Sequence, residues 1–238
     1  MKVSVCMATY NGANFISKQL SSILSQLRID DEVIIIDDNS TDDTITYIKS
    51  YNDKRINLVI NKKNSGVLYS FNKALSLATG EIIFFSDQDD EWEENKVSHI
   101  LDIFQFDVVD LIIHDAVIVS QNKIIHPSLF KFANSRGGFF YNLFSNTYTG
   151  CCMAFRAPIL KKIMPIPQIN GVYHDSWIGI LSELYGFKTK FIETPLIRWN
   201  RHENNTSSIN RRSIKKILID RVCFIFVIFR HIFLKKNL

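Results

Sequence analysis

Val33-Ile-Ile-Ile-Asp-Asp-Asn-Ser40 is a short apolar run that stops abruptly at paired carboxylates, and Ile82-Ile-Phe-Phe-Ser-Asp-Gln-Asp-Asp90 repeats the arrangement further along the chain. Continuous apolar runs of this length, bounded by polar residues, read as strands buried on both faces, the kind that parallel sheets contain. The same pattern predicts strands at Val3 to Ala8, Glu32 to Asp37, Ile56 to Ile60, Glu81 to Ser86 and Asp110 to Val119. Between them Ile16, Leu20, Ile23, Leu24 and Leu27 share a helical stripe, and Thr41 with Asp42 and Asp43 gives a second helix a capped start. A third helix runs from about Val67 to Ala78, with Gly80 as its C-terminal glycine. Strands alternating with helices predict an α/β fold built on a Rossmann-like, mainly parallel sheet with flanking helices. After about residue 120 the alternation weakens. A polar, aromatic stretch around His126 to Tyr148 reads as a long loop with a short helix, followed by a strand near Thr149 to Phe155, a helix near His174 to Tyr185 and a strand near Lys188 to Ile192.

With 46% of its 238 residues hydrophobic and 22% charged, the chain can fill a core, which excludes disorder and coiled coil. The net charge of +4 is unevenly placed. Arg211 to Leu238 carries eight Lys and Arg against Asp220, a charge of +7, which leaves −3 for residues 1–210. Positive charge confined to one end argues against a nucleic-acid-coating protein. Residues 1–210 show no repeat or linker and read as one domain, with 211–238 as a basic tail. The four cysteines lack a paired spacing and read as reduced thiols of a cytoplasmic protein. The N-terminal apolar run is short, interrupted by Ser4 and Thr9, and reads as a buried strand, not a secretion signal. No stretch reaches the ~18–20 apolar residues of a membrane span.

Ligands of an open parallel sheet bind beyond the C-terminal ends of its strands, so both acidic clusters fall on one edge. Asp42 and Asp43 are explained by capping. Asp87, Asp89 and Asp90 are not, because three carboxylates within four residues repel unless a cation compensates them. A Mg²⁺ or Mn²⁺ ion held by one or two carboxylates, with substrate phosphates completing its shell, would answer that need. No G-x-x-x-x-G-K-[ST] and no G-x-G-x-x-G is present, which lowers kinase-like and dinucleotide-dependent chemistry.

Val3-Ser-Val-Cys-Met-Ala-Thr-Tyr-Asn11, Glu32 to Asp42, Asn64-Ser-Gly66, Ala78-Thr-Gly-Glu81 and Phe85-Ser-Asp-Gln-Asp-Asp-Glu-Trp92, in that order, resemble family 2 glycosyltransferases of the GT-A fold, especially bacterial rhamnosyl- and glucosyltransferase-like members that build O-antigen or capsule. The resemblance is firm over residues 1 to about 95, fair around 149 to 210 and absent from the tail. It implies that Ala8 and Tyr10 hold the nucleotide base, that Asp38 hydrogen-bonds it, and that Asp87 and Asp89 form the D-x-D pattern. Asp89 is then the metal position, with Asp90 contacting ribose or ion.

An inverting transfer needs a base within reach of the acceptor hydroxyl. Asp175, in Tyr173-His-Asp-Ser-Trp177, matches the family's acidic base position, with His174 beside it as a support. Gly150, in Thr149-Gly-Cys-Cys-Met153, matches the acceptor-side segment. Arg198-Trp-Asn-Arg-His-Glu-Asn-Asn-Thr206 resembles the loop that closes over the diphosphate, with His202 facing metal or phosphate and Arg198 and Arg201 both open as the diphosphate contact. Trp92, Trp177 and Trp199 fit sugar stacking and core packing equally.

From Arg211 onward, Ile214, Ile217, Leu218, Val222, Ile225, Phe226, Phe229 and Phe233 follow helical spacing, with Arg212, Lys215 and Lys216 on another side. Such a helix suits an anionic membrane surface, or a docked position on the domain. The expectation is a metal-dependent, inverting transferase, peripheral on the cytoplasmic face of the inner membrane. It would move a hexose from a UDP- or dTDP-sugar to a lipid-linked or oligosaccharide acceptor. A receiver-like signalling domain is the rival, since Ile36-Asp-Asp-Asn39 resembles its acidic pair, but there the pair ends the first strand and here it ends the second. An inactive membrane-bound scaffold is the other.

Overall fold

Strand β1 (Val3–Thr9) lies between two parallel partners, β2 (Glu32–Asp37) and β4 (Ile82–Ser86), with β3 (Ile56–Ile60) parallel outside β2. The computed structural model describes residues 1–203, 205 and 214–236. Helices α1 (Ile16–Leu24), α2 (Thr44–Ser50) and α3 (Val67–Leu77) form the crossovers. They explain why Val33–Ile36 and Ile82–Phe85 have no exposed surface: unbroken apolar runs are stable only where both sheet faces are covered. The α2 start is capped by Asp42, whose carboxylate accepts Thr44 N–H, and not by Asp43. Gly80 does not cap α3, which ends at Leu77. It is glycine because a Cβ there would lie 2.5 Å from the Ser4 nitrogen of β1.

Beyond β4 the sheet changes character. Strand β8 (Met153–Arg156) pairs antiparallel with β4 and with β6 (Leu111–Ser120), and β9 (Thr189–Asn200) runs parallel to β6. The two-residue β5 (Glu91–Trp92) closes antiparallel on β9, and β7 (Lys123–His126) forms a hairpin with β6. The spatial order is β3-β2-β1-β4-β8-β6-β9-β5. The expected mainly parallel sheet is therefore its first half, and the whole is mixed. Parallel pairing needs a long crossover, but the segment expected as one long loop supplies only two short helices, α5 (Leu129–Ala133) and α6 (Phe139–Ser145). Thr149 to Phe155 is likewise only partly strand, since Gly150–Cys152 forms a 3₁₀ turn. Helices α4 (Lys96–Phe106), α7 (Pro158–Ile163) and α8 (His174–Leu184) complete the body.

The tail helix α9 (Ile214–Lys236) has two faces. Phe224, Val227 and Ile228 are buried against the body, Phe224 meets Trp177 edge-on at 6.0 Å, and His231 lies 2.9 Å from the Lys162 carbonyl. Leu218, Val222, Phe226 and Phe229 face solvent with 60–69% of their surface exposed. The helix is thus docked on the body by one face, and its other apolar face is exposed. Among the described residues no helix is long and apolar enough to cross a membrane. Arg211 and Arg212, the 210/211 boundary and the side chains of Lys215, Lys216, Lys235 and Lys236 lie outside the described residues.

Candidate active site

Each parallel strand ends at the same edge, and the loops that follow carry the polar chemistry. Past β1, Ala8 is partly buried and the Tyr10 ring is 43% exposed. Gln88, from the loop after β4, clips this segment down: its Oε1 accepts the Tyr10 N–H at 2.9 Å and its Nε2 donates to the Tyr10 carbonyl at 3.1 Å. Gly12 is required by that clip, because a Cβ would sit 2.3 Å from Gln88 Oε1.

Asp38 has a different employment from the expected one. It is buried, and its carboxylate accepts Asn61 Nδ2 at 2.8 Å, Ser65 N–H at 2.9 Å and Gly66 N–H at 2.7 Å. Both oxygens are engaged in holding the β3–α3 turn, where Gly66 has a φ of 92° that favours glycine. Asp38 thus shapes the loop beside the expected base position.

The loop after β4 gathers the acidic group. Asp89 Oδ2 accepts a hydrogen bond from His202 Nε2 at 2.8 Å and from Asn205 Nδ2 at 3.0 Å, and the His202 ring stacks on Phe15 at 4.3 Å. Asp90 is buried. Its Oδ1 accepts the Asn200 N–H at 3.0 Å and its Oδ2 has no hydrogen bond of good geometry. Asp87, Asp90 and the Cys151 thiol place ligand atoms within 4.8 Å of one another. Burial, then the Asp89 and Asp175 charges, push the Asp87 carboxyl up to about 7. Burial, then Asp89 and Asp87, hold the Asp90 carboxyl well above the carboxylate range, although the nearby Cys151 thiol lowers it slightly. Among the described residues Lys96 is an ammonium buried beside them: its Nζ donates to the Cys151 carbonyl at 3.0 Å, lies 4.1 Å from the Trp92 ring centre, and is brought down to about 8 by burial.

Asp175 stands at the first turn of α8, close enough for its charge to raise Asp87. Its Oδ1 accepts the Ser176 N–H at 2.6 Å. Burial lifts its carboxyl to about 6 against the Ser176 N–H and the charge of Arg221 on α9. His174 packs against two phenylalanines. Its ring lies between Phe71, stacked at 4.1 Å, and Phe85, edge-on at 5.1 Å, and burial lowers its pKa to about 3. Gly150 is small for the same reason, since a Cβ would lie 2.4 Å from His174 Nε2. His174, expected as a support, and Gly150 pack together beside Asp175.

Arg201 and Arg198 separate clearly. Arg201 is buried beside Asp89 and Asp90, whose charges oppose the lowering of its pKa by burial, and its guanidinium covers the Trp199 ring at 4.5 Å. Arg198 is half-exposed and paired with Glu93 at 3.3 Å. Trp92 and Trp177 are core residues. A cleft of about 830 Å³, walled by Phe15, Lys18, Asn122 and Arg198, opens onto Asp89 and His202.

Carboxylate oxygens with an imidazole nitrogen are donors that suit Mn²⁺ or Mg²⁺. The orphaned Asp90 Oδ2 and the raised carboxyls show a centre short of positive charge, which a divalent cation would supply. The residues present fit such an ion. Sequence reasoning missed Gln88, Asn205, Phe15 and Lys96. Only Gln88 had a local signal, an amide inside an acidic run.

A sequence profile described as "Glycosyl transferase family 2" matches residues 4–164. An Escherichia coli protein named UDP-Glc:alpha-D-GlcNAc-diphosphoundecaprenol beta-1,3-glucosyltransferase WfaP is 37% identical over 192 residues, covering 76% of this chain and 70% of its own length. Staphylococcus aureus TarS, solved with UDP-GlcNAc, superposes with a TM-score of 0.75 at 22% identity, over 92% of this chain and 64% of that one. The mannosyltransferase PcManGT from Pyrobaculum calidifontis, solved with GDP-Man and Mn²⁺, gives 0.61 at 23% identity, over 92% and 60%. The chain spans about two thirds of the length of these relatives, and the two structures share its fold. The profile covers the strands β1 to β8 and the loops that gather Asp87, Asp89 and Asp90, so the chain belongs to glycosyl transferase family 2.

Proposed function

We propose that the protein transfers a hexose from a UDP- or dTDP-sugar to a hydroxyl of a polyprenyl-diphosphate-linked glycan during assembly of a bacterial surface polysaccharide, with inversion at the anomeric carbon. One observation carries this reading: a carboxylate lifted to about 6, Asp175, stands beside a cluster of carboxylates and a histidine at the ligand-binding edge of the sheet. The exposed Tyr10 ring suits stacking on the base, Asp87 and Asp90 the ribose, and Arg201 the diphosphate. Asp89 and His202 would hold Mn²⁺ or Mg²⁺, which when bound draws charge from a departing diphosphate. Asp175 takes the proton of the acceptor hydroxyl as that oxygen bonds to the anomeric carbon. The bond from that carbon to the diphosphate oxygen breaks, and its electron pair leaves with the nucleoside diphosphate. Ser176 N–H fixes Oδ1 of Asp175.

The acceptor class is supported by the relative named for a diphosphoundecaprenol substrate, and the donor class by the TarS complex. We also assign residues 1–210 to catalysis and 211–238 to peripheral attachment at the cytoplasmic face of the inner membrane. The exposed Leu218, Val222, Phe226 and Phe229 would enter the acyl boundary of an anionic leaflet, with the tail's basic residues at its headgroups. The test incubates the full chain with radiolabelled UDP-, dTDP- or GDP-sugars, Mn²⁺ and undecaprenyl-diphosphate-linked GlcNAc. Lipid-extractable label with the anomeric configuration opposite to the donor supports the reading. No product from any donor, or retained configuration, overturns it.

A further inference from the structure

The inner face of the tail helix runs along the helix that carries Asp175. Asp220 packs on the loop ahead of α8, where a Cβ on Gly171, at a φ of 89°, would lie 3.1 Å from the Asp220 Cα. Further along, the Trp177 ring meets Phe224 at 6.0 Å and His231 at 5.1 Å, and Tyr185 meets His231 at 6.4 Å. Residue numbers rise together along these contacts, so α8 and α9 lie side by side and point the same way. Arg221 and Phe224 are three residues apart and share one helix face. Phe224 faces Trp177, and Arg221, one turn earlier, therefore faces the first turn of α8, where Asp175 stands. Arg221 is half-buried there, and its charge acts on the Asp175 carboxyl against the lift from burial.

We propose that Arg221 binds the diphosphate of the lipid-linked acceptor, so that α9 forms one wall of the acceptor site. This rests on the reading of Asp175 as the base and of the acceptor as diphosphate-linked. Asp87, Asp89 and Asp175 already crowd negative charge at this end of the sheet. A sugar whose hydroxyl lies at Asp175 carries its diphosphate on the far side of the sugar ring, and that added charge is repelled unless a fixed cation faces it. A guanidinium suits the task, since its fork of N–H donors matches phosphate oxygens two at a time. Leu218 and Val222, on the adjoining positions of α9, are 60% and 68% exposed, so a prenyl chain leaving the diphosphate meets apolar surface.

The test measures, by titration calorimetry in neutral detergent, how the full-length chain binds farnesyl-diphosphate-linked GlcNAc, farnesyl GlcNAc without phosphate, short-chain phosphatidylglycerol and UDP. The native chain is expected to bind the diphosphate compound at least about tenfold more tightly than the phosphate-free one. Arg221→Gln is expected to remove that difference with UDP affinity unchanged, and Arg221→Lys to restore part of it. Arg230→Gln, exposed on the same helix, is expected to match the native chain. Equal native affinities for the two GlcNAc compounds, an Arg221→Gln chain that still separates them, or a loss that falls equally on UDP or phosphatidylglycerol overturns the proposal. Should Arg221→Gln fail to fold, the native comparison and Arg221→Lys decide it. Binding is read without transfer, so a chain that shows the Arg221-dependent difference but moves no sugar would refute the function and leave this site standing.

Discussion

The parallel half of the sheet and the mixed half meet at Asp87–Asp90, yet they are held together in opposite ways. In the parallel half each strand is a run of Val, Ile or Phe buried on both faces, and each ends where a loop must carry polar groups. In the mixed half the long strands β6 and β9 are joined by elements whose order comes from distant contacts: Arg156 Nη2 to the Phe104 carbonyl, Trp177 Nε1 to the Ile163 carbonyl, Phe224 under Trp177. The contrast teaches a division of labour. Strand ends of the first half can change charge at small cost in stability, while the second half supports Asp175 through packing that any volume change disturbs.

That contrast can be broken by substitution. Asp89→Asn, at the edge of the parallel half, is expected to lower transfer about a hundredfold or more while the melting temperature moves by less than about 2 °C. Sugar-transfer kinetics beside calorimetry measure both, and a large loss of stability would erase the distinction. In the mixed half the two faces of α9 should differ as sharply. Phe224→Ala is expected to cost about 3–5 kcal/mol in urea unfolding, whereas Phe229→Ser should cost less than about 0.5 kcal/mol and instead reduce sedimentation with anionic vesicles. Equal stability losses from both would mean that the outer face is covered. Between those two in stability is Gly150→Ala, whose methyl would press on His174 Nε2: about 1–3 kcal/mol. A neutral result would free Gly150 for the sugar contact that its family position implies.

The same contrast explains what was legible in the sequence. Val33–Ile36 and Ile82–Phe85 could be read as buried strands because a parallel strand records its burial in every residue. The strand-end carboxylates followed from the sheet, without side-chain geometry. What escaped was whatever depends on a distant partner. The Ser65 and Gly66 N–H groups that meet Asp38 are backbone groups brought in by a turn, which leave no mark in the sequence. Gly150 and His174 lie apart in the sequence, which hides that a Cβ at Gly150 would come within 2.4 Å of His174 Nε2. Lys96, wholly buried, was invisible because an exposed lysine at a helix start has the same sequence context. The tail's periodicity was readable, but its division into a docked and a bare face depended on Trp177.

The central claim is that Asp175 is the proton acceptor of the reaction, and the rate–pH profile of the native chain beside Asp175→Asn tests it most directly. Burial raises this carboxyl from 3.8 to about 6, so the base form is lost as pH falls through that value. At saturating donor and Mn²⁺ the native rate is expected to fall about tenfold per pH unit below pH 6, and the Asn variant to be slower by about 10²–10⁴ at neutral pH with donor affinity unchanged. A native rate that stays level below pH 6, or an Asn variant that transfers at the native rate, would contradict the account.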